Sequence, residues 1–262
     1  MRKVEILDKQ FIDDNEYYSD RMYVTNSMLK TLSSGSTKNF MHRLENPLET
    51  DSLKTGSAFH CWILEQQKFN DRYTFIPKVN RRTKAGKEIY EEFVSNNVGK
   101  VFIHDKYLDI FEQLQVIINN HANVKNILNS AITFESTHTW KDIKTNVLCK
   151  AKADIVGEDF IADIKTTSRT GDCESFLEYM YTYKLHQQAA FYLSGLQKKH
   201  FYFIMCELNE PFNVSIYKLS QKTINKGLKI IDNCLNIYKN EVLNTSNYHS
   251  YTNYNLDKIV EV

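Results

Sequence analysis

The chain has 262 residues, 42% of them hydrophobic and 13% aromatic, with only 8 Gly and 3 Pro. That length and apolar content allow an ample core and argue against disorder. With 33 Lys and Arg against 32 Asp and Glu, the formal charge of +1 excludes a protein that coats nucleic acid by bulk charge, so any such site must be a local patch.

Residues 1–22 form a polar, acidic lead-in to which no element is assigned. Met28, Leu29 and Leu32 predict a short helix, capped by Asn26 or Ser27 and stopped at Ser33-Ser34-Gly35-Ser36. Phe40, Met41 and Leu44 predict a second one, ending before Pro47. TGSAFHCWILEQQ gives a stronger helix over 55–67, and residues 70–80 read as extended. Residues 81–96 open on a basic cluster (Arg81, Arg82, Lys84, Lys87) and turn helical through Ile89, Phe93 and Val94. Residues 105–129 carry the apolar spacing of one amphipathic helix. A strand over 131–140 and a turn at 142–146 follow. Residues 147–156 then alternate by two. Val147, Cys149, Ala151, Ala153 and Ile155 share one face, while Leu148, Lys150, Lys152, Asp154 and Val156 share the other. Gly157-Glu158-Asp159 turns the chain into a return strand over 160–165. One or two helices over 179–195, strands over 200–208 and 212–219, and a terminal helix over 220–243 complete the pattern. From residue 244 the tail is rich in Asn and Tyr. The layout is α/β (α+β): a central mixed sheet flanked by helices, with helical additions at the amino end. It predicts a single domain over 1–262, made of an extension at 1–50, a core at 51–243 and a tail at 244–262.

Five scattered cysteines without a C-x-x-C pair point to a reducing, cytoplasmic setting and away from a disulfide framework, zinc site or iron–sulfur cluster. No membrane span and no secretory signal is expected, because apolar runs fall short of the roughly 18 residues a span needs.

The stretch from Asp154 to Lys165 carries the chemistry. Period two groups Ile161, Asp163 and Lys165 on one face of the return strand, and antiparallel pairing of the hairpin makes Asp154 and Asp163 converge with Lys165 beside them. Two close carboxylates repel unless a cation lies between them, and hard oxygen ligands suit Mg²⁺ or Mn²⁺. A neighbouring Lys can orient or deprotonate a bound water and stabilise charge developing on a phosphate. Small Ala151 and Ala153 allow a helix to pack close behind.

KAKADIVGEDFIADIKTT (150–167) resembles the core of the PD-(D/E)XK nuclease superfamily, with Asp154 as first acid and Asp163-Ile164-Lys165 as the D-x-K element. More narrowly, the chain is similar to the RecE-type exonucleases (exodeoxyribonuclease VIII), which are often phage or prophage encoded. TGSAFHCWILEQQKF (55–69) is similar to that family's G-x-A-x-H-x-x-x-L-E-x-x-x-F helix, with His60 as the histidine. Asn80 to Lys87 resembles its basic R-R-T-x-x-G segment, Glu135 its acidic strand residue, and Gln188-Ala-Ala-Phe-Tyr192 its Q-x-x-x-Y helix motif.

The resemblance implies a nuclease core and a Mg²⁺-dependent deoxyribonuclease (Mn²⁺ being an alternative), with two ions. Asp154, Asp163 and the Ile164 carbonyl would hold one ion, and His60 would help a second. Lys165 would position the attacking water, and Gln188 and Tyr192 would border the scissile phosphate or the water. Glu135 would bind metal directly, reach it through water, or only organise Lys150 and Lys152. Arg81, Arg82, Lys84 and Lys87 would track phosphates, with Lys150 and Lys152 continuing the patch on the side of Asp154 and Asp163. The resemblance further implies 5′→3′ attack on double-stranded DNA with free ends, a ring-shaped homo-oligomer, a partner single-strand annealing protein, and a place in recombination inside a bacterial or phage-infected cell. Two rivals fit the same residues: an endonuclease or single-strand-specific nuclease on the same fold, and a catalytically silent DNA-binding protein.

Overall fold

The structure is a computed structural model of the chain and describes residues 2–9 and 14–244. Numbered along the chain, the strands are β1 (Val4–Leu7), β2 (Tyr73–Phe75), β3 (Val101–Ile103), β4 (Ala131–Asp142), β5 (Leu148–Gly157), β6 (Phe160–Thr167), β7 (His200–Glu207) and β8 (Val214–Lys218). The helices are α1 (Asp14–Ser19), α2 (Asn26–Ser34), α3 (Thr37–Glu45), α4 (Asp51–Leu64), α5 (Gln66–Arg72), α6 (Lys84–Asn96), α7 (Lys106–Asn120), α8 (Ala122–Asn129), α9 (Cys173–Thr182), α10 (Leu185–Leu196) and α11 (Gln221–Ile237), the last continued by a π-helical segment over Tyr238–Leu243.

Six strands form one sheet in the order β1-β4-β5-β6-β7-β8. All neighbours run antiparallel except β6 and β7, which are parallel over Phe160–Thr167 and His200–Glu207. A parallel pair needs a crossover, and α9 and α10 supply it. Strands β2 and β3 make a separate parallel pair.

Each face of the sheet is covered by helices. One core joins Cys149, Ala151, Ala153, Phe201 and Phe203 to Leu29 and Leu32 of α2, Phe40 of α3, Ala189, Ala190 and Phe191 of α10, and Ile231 and Leu235 of α11. The other joins Ile155, Ala162, Ile164 and Ile204 to Phe59 of α4, Phe69 of α5, and Phe111 and Leu114 of α7. Phe59 and Phe111 meet edge to face at 5.0 Å, both fully buried, and burial of such a side chain contributes roughly 1.5–3 kcal/mol. α11 approaches α10 closely at Gly227, where a Cβ would lie 2.1 Å from the His186 carbonyl oxygen.

Several elements depart from the sequence reading for identifiable reasons. β1 lies inside the lead-in that was given no element. It spans four residues, and its place comes from pairing with β4 and from the Arg2 guanidinium, which donates from Nε and Nη2 to Asp142 at 2.8 Å each. The cap of α2 is Thr25, whose Oγ1 accepts from the Met28 N–H at 3.3 Å, rather than Asn26 or Ser27. The helix expected over 55–67 begins at Asp51 and breaks at Glu65. The one helix expected over 105–129 is two, divided at His121, whose Nδ1 caps α8 by accepting from the Val124 N–H at 3.4 Å. Residues 245–262 of the predicted tail lie outside the described residues.

Candidate active site

The site forms where β5 and β6 part. Only Ile155↔Ala162 and Val156↔Ile161 are paired between them. Beyond those pairs β5 stays with β4 and β6 with β7, so the two strands diverge. Asp154 and Asp163 stand opposite each other at the next register position, buried at 9% and 2% exposure. The Ile164 N–H donates to Asp154 Oδ2 at 2.9 Å instead of to a strand partner. Asp163 accepts from the side-chain amide of Gln188 through Oδ1 and from the Lys165 ammonium through Oδ2.

The alternation of β5 slips by one residue at Asp154. Ala153 packs into the core beneath α10, but Ile155 packs into the opposite core and Val156 returns to the first. Ile155 is therefore not on the face of Cys149, Ala151 and Ala153 where period two puts it. The β4–β5 ladder omits the matching position, and there Glu135 holds φ at 47°, in the left-handed region. A non-glycine residue in that region costs on the order of 1–3 kcal/mol, and such strain concentrates at functional sites.

Three donors converge as a result. His60 Nδ1, from α4, lies 3.2 Å from Asp154 Oδ2 and 3.9 Å from Glu135 Oε1. Ligand atoms of His60, Glu135 and Asp154 all lie within 4.8 Å of one another, a spacing that fits one divalent ion. Glu135 Oε2 is 3.4 Å from Lys152 Nζ, whereas Glu135 Oε1 is buried with no hydrogen-bond partner among the described residues. A buried carboxylate oxygen without a donor is costly in a metal-free protein and is satisfied by a cation.

The electrostatics agree. Burial and the charge of Asp154 push the Glu135 carboxyl up to about 7. Burial and Asp154 also raise Asp163. For Asp154, burial is outweighed by His60, Lys165 and the Ile164 N–H, and its carboxyl is lowered. Burial disfavours the His60 imidazolium, but Asp154 overrides it and raises the ring to about 9. Against the opposition of burial, Asp163 and Asp154 raise Lys165 as well. The raised His60 ring favours a proton held between the carboxylates, and an ion bound there would displace that proton.

Gln188 and Tyr192 lie one turn apart on α10 and line the same cavity of about 370 Å³. Burial pushes the Tyr192 phenol well above its usual range, so it remains a donor. Gln187, its neighbour in sequence, turns instead to α2, donating to Asn26 Oδ1 at 3.3 Å and accepting from Ser33 Oγ at 3.0 Å.

The basic residues do not form one patch. Lys152 lines the cavity. Lys150 also reaches it but is 1% exposed, and its ammonium donates to the carbonyls of Tyr17 and, at 2.7 Å, Asp20. Lys150 thereby fastens the amino-terminal segment across the site rather than presenting a charge to a phosphate. Arg81, Arg82, Lys84 and Lys87 are exposed at the start of α6, where Arg81 lies over the Tyr90 ring at 4.5 Å, and none of the four lines the cavity. Residues given no site role in the sequence also wall the site: Tyr17, Tyr18 and Asn26 from the amino-terminal segment, and Glu65 with Arg72 at the α4–α5 break. Glu65 follows the helix that bears His60 in the L-E pair, a signal present in the motif; Tyr17 and Tyr18 carry none.

A mixed sheet with acids, a lysine and a histidine at the fork of two strands defines a PD-(D/E)XK nuclease fold. The chain belongs to the family described as PDDEXK-like domain of unknown function (DUF3799), whose model matches residues 25–251. Among solved structures, the chain is similar to a "Putative exonuclease" from Eubacterium rectale, 12% identical, with a TM-score of 0.63 over 97% of this chain and 96% of that one. A second likeness, to SSO0001, is 12% identical with a TM-score of 0.28 over 82% of this chain and 86% of that one, and carries no argument. No curated protein matches. Among the described residues no helix is long and apolar enough to cross a membrane.

Proposed function

We propose that the protein is a Mg²⁺-dependent deoxyribonuclease that degrades double-stranded DNA from free ends, 5′→3′, in the manner of the RecE-type exonucleases. The observation that carries the reading is the convergence of His60, Glu135, Asp154, Asp163 and Lys165 on one fork, with a buried Glu135 oxygen lacking a donor. Asp154, Asp163 and the Ile164 carbonyl would hold one ion, and His60 with Glu135 a second. Bound divalent ions supply Lewis-acid stabilisation of the phosphate and an acidified water.

The chain's own groups do the rest. Lys165, paired with Asp163 at the fork, is placed to donate to the attacking water and orient it. Gln188 fixes one oxygen of Asp163 and thereby directs the other lone pairs into the site, a positioning role. The protonated Tyr192 phenol is available to a phosphate oxygen. The motifs shared with the RecE-type family support a ring-shaped homo-oligomer, an annealing partner in recombination and phage or prophage origin. The odd number and scattered spacing of the five cysteines support a reducing cytoplasm.

The test uses 5′-labelled linear duplex beside closed circular duplex with Mg²⁺ or Mn²⁺. Wild type should shorten only the linear form, EDTA should stop it, and Asp163→Asn or Lys165→Ala should remove the activity. Cutting of closed circles would assign an endonuclease. Binding without cutting in either metal would assign a DNA-binding protein and end the nuclease reading.

A further inference from the structure

A second cavity, of about 510 Å³, opens between α2 and α3 beside the active site. The two cavities share a wall: Asn26 of α2 lines the first, and Lys30, four residues or about 6 Å further along the same helix, lines the second. The lining of the second cavity contains Lys30, His42 and Arg43, with Ser34 and Asn39 as neutral hydrogen-bonding groups, and no acidic residue. Lys30 is half-buried, yet among the described residues neither it nor Arg43 forms an ion pair. Burial, and next the charge of Lys165, lower the Lys30 ammonium to about 8, Asp163 opposing them only in part. Among the described residues no acid lines the groove to balance these cations, and an anion arriving there would supply the counter-charge.

We propose that the groove between α2 and α3 binds a phosphate group of the nucleic-acid strand whose scissile phosphate lies at Asp154 and Asp163. The proposal rests on the nuclease reading and adds a contact site outside the metal centre. Arg43 provides the bidentate fork suited to a phosphate, and Lys30 provides the point charge that joins the groove to Lys165. Together they make α2 a track along which the strand leaves or enters the fork.

The experiment measures binding of a fluorescein-labelled duplex to the full chain by anisotropy, with Ca²⁺ in place of Mg²⁺, at several salt concentrations. Wild type, Lys30→Gln, Arg43→Gln and the double variant are compared, with thermal unfolding to check folding; the exposed Arg43 also permits Arg43→Glu. The double variant should bind at least tenfold more weakly, and the slope of log K against log salt should flatten by roughly 0.9 per cation removed. Duplexes with 5′-phosphate and 5′-hydroxyl ends form the two arms. A loss confined to phosphorylated ends assigns the groove to a terminal phosphate, and an equal loss assigns it to an internal phosphodiester. Unchanged affinity and slope in the double variant, while wild type degrades DNA, would overturn the groove and leave the nuclease. A wild type that binds with the steeper slope but never cuts would overturn the nuclease and keep the groove. A wild type that binds no DNA would overturn both.

Discussion

Gln188 and Glu135 show what single side chains do at the fork. Gln188 touches Asp163 and no other site acid, so its removal loosens a ligand without removing one. Gln188→Ala should lower cleavage by about 10–100-fold, the usual cost of losing a group that orients a metal ligand. A Mg²⁺ titration should show a higher half-saturating concentration, and Gln187→Ala should leave that concentration unchanged. Glu135→Gln should act in the opposite sense on stability. Its folded carboxyl titrates at about 7, above its ordinary value, so the charged form opposes folding. That cost is absent well below the unfolded value, grows as pH rises between the two, and is complete above the folded value. Urea unfolding in EDTA should therefore find Glu135→Gln more stable than wild type by roughly 1–3 kcal/mol at pH 8, with the gain gone near pH 4. Asp154, Asp163 and Lys165 are legible in the sequence because period two puts Asp163 and Lys165 on one face and the tight turn sets Asp154 opposite Asp163, even though the alternation of β5 slips at Asp154 itself. His60 and Glu135 are legible only through resemblance, since no local pattern tells a helix residue that it will face a strand far along the chain. Lys30 gave no signal at all.

At the scale of elements, the sheet strands and long helices follow from periodicity, whereas breaks and edges do not. The apolar rhythm of 105–129 keeps its phase from Ile117 and Ile118 to Val124 across the polar Asn119-Asn120-His121, so the cap geometry is what reveals two helices. β1 and β3 are four and three residues long, too short for alternation to register, and exist because a neighbouring strand offers them hydrogen bonds. The slip of side-chain alternation at Asp154 is invisible for a similar reason: it coincides with the left-handed Glu135 across the ladder on the neighbouring strand, where the register itself is kept. Helix contact makes its own demand at Gly227. Gly227→Ala would set a methyl 2.1 Å from a backbone oxygen of α10, which cannot rotate away. The variant should lose about 1–3 kcal/mol in urea unfolding, and because α10 carries Gln188 and Tyr192, cleavage should fall in parallel.

For the whole molecule, near-neutral charge conceals an uneven distribution: carboxylates are gathered at the fork and cations are set around it in separate groups. The expected single basic face resolves into Lys152 at the cavity, a buried Lys150 acting as a fastener, and an exposed cluster at α6. The parting of β5 from β6 has a mechanical side. Within the sheet, two residue pairs are the whole ladder between the half holding β1, β4 and β5 and the half holding β6, β7 and β8, while the helical cores on each face span both halves. The two strands therefore stand apart like the arms of tongs, joined at the turn between Gly157 and Phe160, with the acids just inside the jaws. A methyl at Gly157 would come within 2.0 Å of the Phe160 ring and force that ring to shift at the closed end of the fork. Gly157→Ala should raise the Mg²⁺ concentration needed for half-maximal cleavage although it alters no ligand, because the gape of the jaws sets how far apart the carboxylates stand.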